Sequence, residues 1–339
     1  MAADGWTWAL AMYRADGTAI GQYAIDADLE PAYEWAQHEA RRAGHAGHGW
    51  RDRSRVVPLW HHTGQPILRG FRVVLSAAGQ PSVRCDFPMT YFGANASAVS
   101  ASLVAAGALS DGEVFKYLVM ALRREAEPAP TSRLSLEVRD ISKQGRLCHA
   151  SLAGAIRDAA VVGEPVAGEI PVVAAASVLD EVSALTHAAG DLETGGVLVG
   201  TLLRDPEAFE VFVRVSAQIP ARHAEASTVR LAFSAETWHD IQRQLNARGS
   251  DERIVGWWHS HPVAGWNAAG EVGKCSAPGV FDDCFSEHDL ALHRTVFPGA
   301  HCVALVANRM SSELVKFSVF GWHHAAIVRR GLYVGAQRG

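Results

Sequence analysis

The segment Arg253-Ile254-Val255-Gly256-Trp257-Trp258-His259-Ser260-His261 constrains this chain more than any other. Its apolar run reads as a buried strand. Alternate residues of a strand point the same way, so His259 and His261 share one face and Ser260 turns away. Two imidazoles on one face can hold one metal ion. Downstream, Ser286-Glu287-His288-Asp289 supplies an oxygen ligand in Asp289. Three protein ligands and one position left for water make a catalytic zinc site; structural sites close all four.

Such a site needs a base. Glu193 lies just before a second apolar, strand-like run, residues 197–203, with Gly195 and Gly196 between them. Glycines there let another backbone or a ligand approach closely. A carboxylate beside an activated water takes its proton and returns it to a leaving amine. Ser286, three residues before Asp289, converges with it if both open a helix. Its hydroxyl suits two tasks: capping that helix or donating to the oxyanion of a tetrahedral intermediate.

Glu193, His259-Ser260-His261-Pro262 and Ser286-x-x-Asp289 together resemble the motif of JAMM metallopeptidases, the catalytic class of JAB1/MPN domains. The resemblance spans residues 173–335, about half of the chain. It implies one catalytic zinc ion held by His259, His261 and Asp289, with Glu193 as acid/base and Ser286 as oxyanion donor. Members of the family cleave isopeptide or peptide bonds after the C-terminal glycine of ubiquitin or ubiquitin-like proteins. The resemblance therefore implies a deubiquitinase-like hydrolase of a bacterial conjugation or antiphage pathway. Its partners would be a ubiquitin-like protein or its conjugates, and E1-like and E2-like proteins. Two alternatives accompany this reading: a processing peptidase for a sulfur-carrier protein, as some prokaryotic members are, and an inactive interaction scaffold.

One departure stands out. The family places its Asp closer to the second His, whereas here residues 262–288 intervene. The stretch 263–285 is rich in Gly, Ala and Pro and reads as an inserted loop. Some eukaryotic relatives carry a comparable insertion that binds a second zinc. Asp282 and Asp283 are therefore alternative ligands. Asp289 is favoured because a serine precedes it by three residues and an apolar helical pattern, Leu290, Leu292 and Val296, follows. Cys275 and Cys284 lie in the insertion, with His288, His293 and His301 beyond. A second, structural zinc would use such a mixture; two ordinary loop thiols are the simpler reading.

Other features have plainer readings. Trp257 and Trp258 face opposite sides, one into the core and the other towards the cleft. His45, His48, His61 and His62 read as solvated histidines, and Arg41, Arg42, Arg51, Arg53 and Arg55 as a solvated basic cluster. Five cysteines spread over 339 residues do not form a disulfide framework, and Cys85 and Cys302 sit in strand-like runs. No apolar segment follows a basic N-terminus, so a cytoplasmic protein with reduced thiols is expected. A net charge of −5 argues against a phosphate-driven nucleic-acid partner. No apolar run reaches the roughly 18 residues that a membrane span needs. A nucleobase deaminase would need a Pro-Cys-x-x-Cys partner, which is missing. Alanine-rich stretches suggest a high-GC bacterial genome.

The length predicts two domains, and 48% apolar residues can fill their cores. The expected fold class is α+β/α/β. A smaller α+β domain at 1–165 would bind substrate or partner. A metallopeptidase domain at 172–339, a mixed sheet flanked by helices, would follow. Linker-like stretches fall at 125–132 and 163–171, with a strand-like run at 134–138 between them. In the first domain, hairpins are expected around 15–17 and 78–80, and helices at 29–43 and 111–125. Val114, Tyr117, Leu118 and Leu122 support the last at helical spacing. A short helix near 152–160 is assigned to the same domain, and another helix is expected at 234–248.

Overall fold

A computed structural model describes residues 5–45, 54–61, 66–76, 81–123, 147–221, 225–226, 231–248, 251–268 and 285–335. The chain is of mixed α/β type, with seven α-helices among these residues. It divides into two compact units near residue 142.

The first unit is built on two antiparallel sheets. Strands β1 (Trp6–Arg14) and β2 (Ala19–Ile25) form the expected hairpin, followed by helix α1 (Glu30–Arg42). The turn is set by Gly17 at φ 93° and by Asp16 Oδ1, which accepts from the Thr18 N–H at 2.8 Å. Strands β3 (Ser54–Trp60), β4 (Leu68–Leu75) and β5 (Val83–Pro88) form the second sheet, and helix α2 (Gly93–Ala105) follows. Phe71 stacks on Phe87 at 5.1 Å, and Phe92 packs on Trp8 at 5.3 Å.

The helix expected over 111–125 is a strand, β6 (Phe115–Arg123), paired with β1 at nine successive positions. Its residues also alternate with period two: Phe115, Tyr117, Val119 and Ala121 share one side. Aromatic and β-branched residues suit a pleated surface. The open edge of β1 then decides between the two periods, since nine backbone pairings outweigh a weak helical propensity.

The second unit holds β7 (Cys148–His149), α3 (Leu152–Ile156), β8 (Ala160–Gly163), β9 (Val172–Ala175), α4 (Ala176–Ala189), β10 (Gly195–Asp205) and β11 (Glu210–Pro220). There follow β12 (Glu225–Ala226), β13 (Leu231–Ala232), α5 (Ala235–Ala247), β14 (Arg253–His261), α6 (Val263–Ala268) and α7 (Glu287–Val296). Strands β15 (Val303–Arg309), β16 (Val315–His323), β17 (Ala326–Arg329) and β18 (Gly331–Gly335) complete it. Among the described residues, its main sheet runs β17-β16-β15-β14-β10-β11-β9-β18-β8, and β7 adds to β10. The sheet is mixed. Strands β14 and β15 are parallel, whereas β10 runs antiparallel to both β14 and β11.

The segment assigned from sequence to the first domain belongs here instead. β8 pairs with β18, β7 pairs with β10, and Asp205 Oδ2 accepts from the Leu152 N–H at 2.8 Å. The stretch 163–171 is a tied connection inside this unit. The buried Arg330 guanidinium donates to the Ile170 and Trp322 carbonyls and lies 3.4 Å from the Glu169 carboxylate. The stretch 125–132 and the run 134–138 lie outside the described residues.

Candidate metal centre

Strand β14 is sandwiched between β10 and β15 and is buried almost throughout. Close approach on both sides requires glycine. A Cβ on Gly256 would sit 2.0 Å from the Val303 carbonyl oxygen, and one on Gly196 would sit 2.3 Å from that of Ile219. Trp257, His259 and His261 then share one face by strand alternation. Trp258 lies on the other, its Nε1–H donating to Gln218 Oε1 at 3.2 Å. Both tryptophans are 0% exposed, so neither lines a cleft as expected from sequence.

Helix α7 brings the third group. Ser286 is its N-cap and forms a reciprocal capping box with Asp289. Its hydroxyl accepts from the Asp289 N–H at 3.2 Å and donates to Asp289 Oδ2 at 2.7 Å, while the Ser286 N–H donates to the same oxygen at 2.8 Å. Asp289 is thus turned back over the helix end, with Oδ1 at 3.5 Å from His259 Nε2. His259 Nε2 lies 3.0 Å from His261 Nε2. One ligand atom from each of the three buried residues falls within 4.8 Å of the others.

The chemistry of these donors fits a cation. Asn308 lies opposite His261 in the β14–β15 register, and its Oδ1 is 3.2 Å from His261 Nδ1. Asn308 Nδ2 donates to Ser318 Oγ at 3.2 Å, which orients the amide. His261 Nδ1 therefore carries the hydrogen, and its Nε2 presents a bare lone pair to His259. Two ring nitrogens at this distance must share a proton or a cation. Burial and the neighbouring His259 push His261 down to about 3, so it stays neutral. Burial works against charge on His259, but Asp289 beside it and Glu193 outweigh that and raise its proton affinity. Burial likewise opposes the Asp289 carboxylate, yet His259 and the Ser286 hydrogen bonds hold it well below the usual carboxylate range. An anion and two imidazoles at such spacing are a ready ligand set.

Glu193 is buried at the turn between α4 and β10. The Thr194 N–H donates to Ser260 Oγ at 3.0 Å, and the Ser260 N–H donates to the Thr194 carbonyl at 2.8 Å. Ser260, the residue turned away from the histidines, thus lashes this turn to β14. Gly195 pairs with His259, which sets Glu193 abreast of His261.

The expected insertion starts as a helix: α6 follows Pro262 at once, and Trp266 packs its ring 5.1 Å from that of His261. Asp282, Asp283, Cys275 and Cys284 lie outside the described residues, as do His48 and His62. Among the described residues no second cluster of metal-ligating side chains occurs. His293 is instead a buried acceptor for the Trp257 indole N–H at 3.0 Å. Burial and Arg330 push His293 down to about 3. Burial pushes the Cys85 thiol up to about 12, which makes it inert.

Sequence reasoning missed Asn308, Trp266 and the Trp257–His293 pair. Asn308 carried a signal, a polar residue ending the apolar run 303–307. The register that sets it against His261 could not be read from one sequence.

Residues 175–265 match the family described as prokaryotic homologs of the JAB domain. The second unit therefore contains a JAB domain. The match includes Glu193, His259 and His261 and ends before Ser286 and Asp289. The solution structure of protein DSY2949 from Desulfitobacterium hafniense is 16% identical, covering 49% of this chain and 94% of its own, with a TM-score of 0.34. No curated protein matches the chain. No helix among the described residues is long and apolar enough to cross a membrane.

Proposed function

We propose that the second unit is a JAMM-type zinc isopeptidase or peptidase. Its substrate would be the bond after the C-terminal glycine of a ubiquitin-like protein, in a bacterial ubiquitination-like pathway. The observation that carries this reading is the convergence of His259, His261 and Asp289 within 4.8 Å, with buried Glu193 set abreast of His261 by the β10–β14 register. The match of residues 175–265, which include Glu193, His259 and His261, to prokaryotic homologs of the JAB domain supports it.

His259, His261 and Asp289 would hold the ion. Zinc, when bound, polarises a carbonyl and lets a water ionise near pH 7 rather than 15.7. Glu193 accepts the proton of the attacking water and returns it to the leaving amine, a contribution of roughly 10²- to 10⁴-fold. Asn308 keeps His261 in the tautomer whose Nε2 is free to ligate. Ser286 holds Asp289 with its hydroxyl, so donation to an oxyanion requires that hydroxyl to turn away from Asp289 Oδ2. In the same reading, the first unit binds the body of the substrate or an E1-like or E2-like partner.

The test is metal analysis with a cleavage assay on a ubiquitin-like fusion ending in glycine. Wild type should carry about one zinc per chain and cut the fusion. Glu193→Ala should keep the zinc and lose turnover by at least about 10²-fold. A metal-loaded wild type that cuts no such fusion would leave an interaction scaffold as the better reading.

A further inference from the structure

The two candidate histidine ligands are held in different ways. His261 donates its Nδ1 hydrogen to Asn308. His259 Nδ1 is buried and has no hydrogen-bond partner among the described residues. A ligating histidine usually donates that second N–H to a carboxylate, carbonyl or water, which fixes its tautomer and ring plane. At His259 an aromatic ring stands in for the hydrogen bond. The Trp257 indole lies nearly parallel to the imidazole, with centroids 4.7 Å apart and 13° between planes. The indole is itself pinned. Its Nε1–H donates to His293 Nδ1 at 3.0 Å, and Phe297 lies parallel to it at 5.9 Å and 7°. His293 sits one turn beyond Asp289 on α7. The indole therefore joins the strand bearing both histidines to the helix bearing the carboxylate.

We infer that Trp257, fixed by His293, is the positioning residue that sets the ring plane of His259 for metal binding. This rests on the metal-site reading above but not on any substrate.

The test uses Co(II) as the probe and the full chain. Its readouts are affinity by chelator competition and the ligand-field absorption band, which reports ligand geometry. His293→Leu removes the acceptor and strands a buried indole N–H, so the indole must shift. Co(II) affinity should fall by about 10- to 100-fold, the usual effect of losing a residue that orients a ligand, and the band should move. His293→Gln keeps an acceptor and should stay within about threefold of wild type. The decisive variant is Trp257→Phe in the His293→Leu background. It keeps a stacked ring, has no N–H to satisfy and leaves an apolar, foldable core. It should recover most of the lost affinity and the wild-type band. In metal-free protein, the Trp257 indole proton resonance should move upfield in His293→Leu. A double variant no better than His293→Leu alone, or a folded His293→Leu with wild-type affinity and band, overturns the inference. Wild type that takes up Co(II) but cuts no ubiquitin-like fusion sinks the proposed function and leaves this inference standing; wild type that takes up no Co(II) sinks both.

Discussion

Replacing Asp289 by asparagine is nearly isosteric, yet the geometry gives the amide no good orientation. One carboxylate oxygen, Oδ2, accepts two hydrogen bonds, from the Ser286 N–H at 2.8 Å and its hydroxyl at 2.7 Å; the other, Oδ1, faces His259 Nε2 at 3.5 Å. If the amide oxygen stays with Ser286, the NH₂ group faces the histidines and cannot ligate. If the amide turns over, the NH₂ group confronts a backbone N–H, and a buried unsatisfied donor costs about 1–3 kcal/mol. The first orientation wins. The capping box survives and stability should fall by no more than about 1–2 kcal/mol, the range for losing a cap altogether. Metal affinity is another matter. A unit charge pair at about 4 Å is worth about 4 kcal/mol at an effective dielectric of 20. Taken as a floor for a divalent ion, that is roughly 10³-fold in affinity at about 1.4 kcal/mol per tenfold. Metal content after dialysis and chelator competition would measure it, with a thermal melt as the control for folding. Asp282→Asn and Asp283→Asn should both keep the metal. Retention in Asp289→Asn together with loss in either of the other two would refute the assigned ligand set.

Two further outcomes follow from the surroundings of the site. Asn308→Leu leaves the buried His261 Nδ1–H without an acceptor and frees the wrong tautomer; metal affinity should drop by about 10- to 100-fold, whereas Asn308→Asp, which keeps an acceptor, should lose far less, and equal loss in both would point to packing alone. A fragment of residues 143–339 should melt cooperatively and bind metal as the full chain does. One beginning at residue 170 loses β8 and Glu169, and stranding the Arg330 guanidinium costs about 3–5 kcal/mol. A soluble, cooperatively folded 170–339 fragment would contradict that account.

Much of the site was legible because its chemistry is local. His259 and His261 are two residues apart on one strand, and Ser286 and Asp289 are three apart at a helix start. Strand alternation and capping alone place each pair correctly. What sequence could not supply was register. Asn308 meets His261 only because β15 runs parallel to β14 at one offset of several the apolar runs allow. Trp257 reaches His293 only because α7 folds back over that face. The errors have the same origin. β6 carries both a helical and a strand period, and the free edge of β1 chose between them. Residues 148–163 looked detached because glycines and prolines surround them, yet their backbone completes the edge of the larger sheet.

The placing of β14 between β10 and β15 also bears on when the candidate metal site is completed during synthesis of the chain. Glu193 precedes the two histidines by more than sixty positions, and Asn308 follows them by nearly fifty. Contacts that distant in sequence form late, because the intervening loops must close first. A nascent chain that has emerged as far as His261 already holds β10 to pair with β14, but it lacks Asp289, and the parallel partner that fixes His261 is still in the ribosome or unpaired. On the proposed reading, hydrolytic competence therefore arrives with the last third of the chain, in one step with the closing of the sheet. On that reading, a half-made chain holds no complete site, and a truncated translation product would be inert rather than unregulated.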